Sequence, residues 1–132
     1  MAREIGYSRI FYTATGNMGV SMSMLKDYTR ALALLHEALE GHRRIGDREQ
    51  PATWLLEVAT ILAHLATDPS RGTMPSCLAP YLEISSGDDW RSAALRKAEE
   101  YTRESITIGE EVGYGEGVDE ARKLLLRILK ET

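Results

Sequence analysis

The chain has 132 residues, 43% of them apolar, and a formal net charge of −4 with acids and bases interspersed. That is one domain's length with enough apolar residues for a core, which excludes a disordered chain and gives no clustered Lys/Arg footprint for a nucleic acid. The lone Cys77 excludes an internal disulfide scaffold. No apolar signal core follows Met1 and no stretch reaches the ~18 apolar residues of a membrane span, so a cytoplasmic protein without membrane or nucleic-acid partners is expected.

Helical spacing dominates the pattern. Near the N-terminus, Ile10, Phe11, Ala14, Met18, Met22 and Leu25 form one helical stripe. Gly16 and Gly19 fall inside it. Each weakens a helix by about 1 kcal/mol relative to Ala, so two of them there imply that something packs very close. From Tyr28, the residues Ala31, Leu32, Leu34, Leu35, Ala38 and Leu39 recur at three- and four-residue steps, with Asp27 as N-cap and Gly46 as stop. A third helix spans about 50–66 with Pro51 in its first turn. Its stripe of Leu55, Leu56, Val58, Ala59, Ile61, Leu62 and Leu65 is wide, which predicts packing on more than one side.

Pro69, Gly72, Pro75, Pro80 and Gly87 then interrupt the periodicity. The segment 67–87 is expected to be a long surface loop inserted in a single helical domain, with one short turn around Leu78 to Ile84. A helix follows from Asp88 or Asp89 to Val112. A last one runs from about Val118 to Lys130, carrying Val118, Ala121, Leu124, Leu125, Ile128 and Leu129.

Three segments share a local shape: Arg3-Glu4-Ile5-Gly6-Tyr7, Arg43-Arg44-Ile45-Gly46-Asp47 and Glu110-Glu111-Val112-Gly113-Tyr114. Each sets an aliphatic residue before a glycine that can close a helix in the left-handed conformation. Taken as helix ends, they are 40 and 67 residues apart, and the longer spacing accommodates the Pro/Gly-rich loop. Such a period is the signature of stacked helix pairs, none of which buries its apolar face alone.

The run Asn17-Met18-Gly19, Lys26-Asp27-Tyr28-Thr29-Arg30-Ala31-Leu32, Glu37-Ala38-Leu39 and Ile45-Gly46-Asp47-Arg48 resembles one tetratricopeptide (TPR) repeat. Gly19, Tyr28, Ala31 and Ala38 match the family's small–aromatic–small–small pattern in register. The trailing Ile-Gly-Asp-Arg is similar to a long-helix subclass found in bacterial regulators and scaffolds. With the three glycine segments as anchors, Ala59 aligns with Gly19, Ala98 with Ala31 and Ser105 with Ala38. Leu95 replaces Tyr28, and Leu126 replaces Gly19, as suits an end helix. Residues 2–9 then resemble the end of a preceding helix whose body is missing, as in a fragment of a longer array or a natural minimal one. The resemblance implies an all-α fold: a short right-handed superhelix of antiparallel helix pairs, about five helices in all. A generic helical bundle is the plainer alternative.

No constellation points to catalysis. His36, His42 and His64 form no His-x3-His or Glu-x-x-His pair for a metal. Cys77 has no local base or orienting partner. The glycines of Gly113-Tyr114-Gly115-Glu116-Gly117 follow no strand and precede no Lys-Ser/Thr, so they read as a turn. The chain is expected to be no enzyme and to need no cofactor.

The family likeness implies a protein or peptide partner held on the concave side. Carried over, that groove comprises Thr13, Asn17, Val20 and Met24 on the first helix, Thr53, Glu57, Thr60 and His64 on the third, and Lys123 and Arg127 on the last. Asn17 matches the Asn that grips a peptide carboxylate in chaperone-binding members. The other clamp positions are Thr13, Glu57, Glu120 and Leu124, of which the acids would repel a carboxylate, so that function is rejected. Two alternatives stand beside the interaction module. One is a homo-oligomer or homodimer burying Met18, Met22 and Leu129. The other is a small enzyme or ligand-binding bundle using residues 67–87 as a lid near Cys77.

Overall fold

A computed structural model describes residues 2–47, 49–82 and 89–131. Among them the chain is all-helical, without strands. Its helices are α1 (Ala2–Met24), α2 (Tyr28–Arg44), α3 (Glu49–Thr67), α4 (Trp90–Val112) and α5 (Gly115–Glu131), with a 3-10 turn at Ser76–Leu78. Consecutive helices pack on each other, and α3 also touches α1 and α5. Of the sequence features above, Arg48, Ile84, Gly87 and Asp88 lie outside the described residues.

The helix boundaries follow local chemistry. Asp27 caps α2 by accepting from the Arg30 amide at 3.3 Å, and Asp89 caps α4 by accepting from the Arg91 amide at 3.0 Å. Gly46 and Gly113 close α2 and α4 in the left-handed conformation, at φ 74° and 76°. The next amides then reach back five residues, Asp47 to His42 O at 2.9 Å and Tyr114 to Gly109 O at 2.8 Å.

Gly6 does not close a helix. It lies inside α1, which runs unbroken from Ala2 to Met24. Residues 2–9 are therefore the start of α1, not the tail of an earlier helix. The matching end is Leu25-Lys26-Asp27: Lys26 sits at φ 63°, and the Asp27 amide bonds Met22 O at 2.9 Å. Lysine stands where glycine is the usual sign, which hid this terminus in the sequence. At the other end, α5 begins at Gly115 rather than near Val118. Only the first of the clustered glycines there makes the turn.

The glycines inside α1 do mark close packing. A Cβ on Gly16 would overlap the buried Trp54 ring of α3, and one on Gly19 would come within 2.9 Å of Leu35 on α2. Reciprocally, Gly41 of α2 leaves room for the Tyr12 ring of α1. The core is centred on α3, where Trp54, Leu55, Val58, Ala59, Ile61, Leu62 and Leu65 are all buried. That matches the wide stripe, with Trp54 added and Leu56 only half-buried.

The connection from α3 to α4 is not a surface loop throughout. Leu78, Tyr81 and Leu82 are buried, and the 3-10 turn packs on α2. The Tyr81 hydroxyl donates to Leu32 O of α2 at 2.7 Å, and its ring meets His36 of α2 and Tyr101 of α4 edge-on. Burial pushes the phenol pKa well above its usual 10, so it stays a neutral donor. The segment is a wedge between α2 and α4. Its prolines and glycines obscured the three apolar anchors. Arg91 then ties the α4 start to the α3 end, donating to Ala66 O and Asp68 O at 2.8 and 2.9 Å. Ser105 on α4 bonds Ala52 O on α3 at 2.8 Å.

Candidate functional site

Helix α3 packs against α2 and α4 and also meets α1 and α5. What it leaves toward solvent is one face, Thr53, Glu57, Thr60 and His64, at steps of four, three and four residues. Thr53, Thr60 and His64 are exposed and Glu57 is half-buried. Burial alone raises the Glu57 carboxyl pKa, and no hydrogen bond or ion pair to it is found among the described residues. Thr60 donates to Leu56 O at 2.8 Å, and His64 leans on the Tyr28 ring with centroids 5.4 Å apart.

On α1, Thr13, Asn17, Val20 and Met24 share one helical face. Asn17 and Met24 are exposed and Thr13 is half-buried. Val20 is half-buried against the core, so it supports the packing more than it offers a contact. On α5, Lys123 and Arg127 are exposed, and Lys123 pairs with Glu120 at 3.3 Å.

Three shallow depressions join parts of these faces. Thr13 and Asn17 line the first, together with Arg9, Ile10 and Ala14 of α1 and Gln50 of α3. Thr53 and Leu56 of α3 line the second, opposite Tyr114, Glu116 and Glu120. Arg127 lines the third, with Ala63 and Thr67 of α3 and Leu124 of α5. Each depression thus spans α3 and one of its two side neighbours. Val20, Met24, Glu57, Thr60, His64 and Lys123 line none of the three. The sequence reading overlooked Gln50, Leu56 and Glu116. Gln50 could have been found, since it continues the Thr53–Glu57 face one turn toward the N-terminus.

The remaining titratable residues have structural settings. His42 is fully buried between the Tyr12 and Trp54 rings, with Nδ1 at 3.0 Å from Asp47 Oδ2 and Arg9 on the same carboxylate at 3.0 Å. Burial lowers its pKa, the Asp47 charge partly offsets that, and Arg9 adds to the lowering. Cys77 is half-buried beside Tyr28, Leu65, Arg71 and Pro75, a lining without a histidine. Among the described residues, no group of three or more His, Cys, Asp or Glu is placed to hold a metal ion, and no helix is long and apolar enough to cross a membrane. No protein-family model matches the chain, and no curated protein matches it.

Proposed function

We propose that this chain is a protein-interaction module of TPR-like build, which holds a segment of a partner protein across α1, α3 and α5. The observation that carries the reading is the open face of α3. Its two side neighbours, α1 and α5, share depressions with it, and Thr53, Glu57, Thr60 and His64 remain toward solvent between them. The helix order supports stacked pairs, with α1·α2 and α3·α4 as two units and α5 as the last helix. So does the burial of small residues at matching places in α2 and α4, Ala31 with Ala98 and Ala38 with Ser105.

The chemistry of the face narrows the partner. Glu57 is a half-buried carboxylate without a countercharge among the described residues, and Glu116 and Glu120 rim the neighbouring depression. A Lys or Arg on the bound segment would recover part of the desolvation cost of Glu57, and Leu56 and Tyr114 offer apolar contact beside it. Binding, not catalysis, is the role this surface supports.

Selection of peptides from a random displayed library, followed by titration, tests the proposal. Selected peptides should carry Lys or Arg, and Glu57→Lys should weaken them at least tenfold. Arg96→Glu on the exposed side of α4 should leave affinity unchanged. Peptides that bind Glu57→Lys as tightly as the parent would reject the groove.

A further inference from the structure

Helix α1 packs inward through Thr15, Gly16 and Gly19, with Tyr12, Val20 and Met22 beside them, and carries a second set of large apolar residues outside. Tyr7, Ile10, Phe11 and Met18, with Leu25 in the turn that follows, are between 54% and 73% exposed. Those five lie at helical spacings of three, four and seven from one another, with the exposed Ala14 among them. No charged residue from Tyr7 to Leu25 falls on this face. The stripe is roughly 27 Å long at the helical rise. Five large apolar residues in one stripe, each more than half exposed, form a contiguous patch of the kind that marks an interaction surface.

We propose that this stripe is a self-association surface, and that two copies of the chain pair α1 against α1 about a two-fold axis near Ala14. An antiparallel pairing centred there sets Ile10 and Phe11 of one copy against Met18 of the other. The small Ala14 side chain lets the two helices approach, and no charged residue falls on the paired face between Tyr7 and Ser21. End-to-end stacking of α1 on α5 of the next copy is the competing arrangement. It is poorer: α5 offers Leu126 and Leu129 on its exposed side, set among Arg122, Lys123 and Lys130. Such a contact would bury those charges and would not close. Met22, which the sequence grouped with the stripe, packs against the core and takes no part. The pairing uses no residue of α3, but Ile10 and Ala14 also line the depression beside Thr13 and Asn17, so a dimer would cover that end of the groove.

Sedimentation equilibrium on the full chain tests this across a range of concentrations. The expected result is a monomer–dimer equilibrium that goes no further. Phe11→Glu combined with Met18→Glu should weaken it by about 100-fold or more, since anchor side chains dominate such interfaces. Circular dichroism should stay unchanged, because both positions face solvent in the monomer. Leu126→Glu should leave the dimer intact. With Cys77 replaced by Ser, Ala14→Cys should form a disulfide between copies on mild oxidation, and Thr107→Cys should not. A strict monomer overturns the proposal. So does open-ended growth, a dimer that survives the double substitution, or equal crosslinking at both cysteine positions.

Discussion

Helices α1 and α3 are both long, both apolar and both carry helix-disfavouring residues early, yet they do opposite things. Helix α3 has neighbours on most sides, and its apolar stripe is the core. Helix α1 meets the rest of the chain through Thr15, Gly16 and Gly19 with Tyr12, Val20 and Met22 beside them, and Tyr7, Ile10, Phe11 and Met18 point away. The comparison teaches that an apolar stripe records where a helix can be covered, while small residues record where it already is. The glycines of α1 mark the seam with α2 and α3. The stripe marks the surface proposed above for self-association.

The sharpest way to break the comparison is to truncate one large residue in each helix. Trp54→Ala on α3 should cost about 4 kcal/mol, while Met18→Ala on α1 should stay within about 0.5 kcal/mol in the monomer. Chemical denaturation at low protein concentration reads both. Comparable losses would mean that the α1 stripe is part of the core. Next in size is Gly16→Ala, which pushes a methyl into the Trp54 ring and should destabilise by about 2–3 kcal/mol, despite the better helix propensity of alanine. A gain in stability would show that α1 is not seated on Trp54.

Tyr81→Phe removes the buried hydroxyl and leaves Leu32 O without that donor, so it should cost about 1–2 kcal/mol. An unchanged melting temperature would return residues 76–82 to the status of a surface loop. Lys26→Gly should do the reverse and stabilise by about 1 kcal/mol, because lysine there is held at φ 63°. The smallest effect is on pH. Burial holds the His42 pKa below 6.5, so between that value and the folded pKa the unfolded chain binds a proton that the folded chain does not. This contribution is present above pH 6.5 and is lost as pH falls from there through the folded pKa. A His42→Gln variant should show a flatter slope in urea titrations between pH 7.5 and pH 5.5, whatever its absolute stability.

Much of the fold was legible because single residues fix helix ends. Asp27 as a cap, Gly46 and Gly113 as stops, and Gly16 and Gly19 as close-approach points all read correctly from residue type and spacing, while the pattern alone allows α4 to start at Asp88 or Asp89 and it does so at the Asp89 cap. Gly6 did not, because an aliphatic-Gly pair is as compatible with a helix interior as with its end. Lys26 did not, because its backbone is set by the turn and not by its own preference. Tyr81 was hidden by the prolines and glycines around it: punctuation shows where helices stop, not whether the intervening chain is buried. Of the candidate site, the α3 face came from the carried-over repeat positions, and Thr53, Thr60 and His64 do stand toward solvent there. The separate depressions depend on how α1 and α5 lean on α3, which no local pattern encodes. Val20 went astray because it stands one turn after Gly16, on the side of α1 that packs against the core.

The most direct test of the binding account is to map a selected basic peptide onto the isotope-labelled protein by NMR chemical-shift changes. The account predicts shifts concentrated at Asn17, Gln50, Thr53, Glu57 and Glu120, on α1, α3 and α5, with the outer faces of α2 and α4 unaffected. Shifts centred on α2 and α4, or confined to the Tyr7–Leu25 stripe, would contradict it.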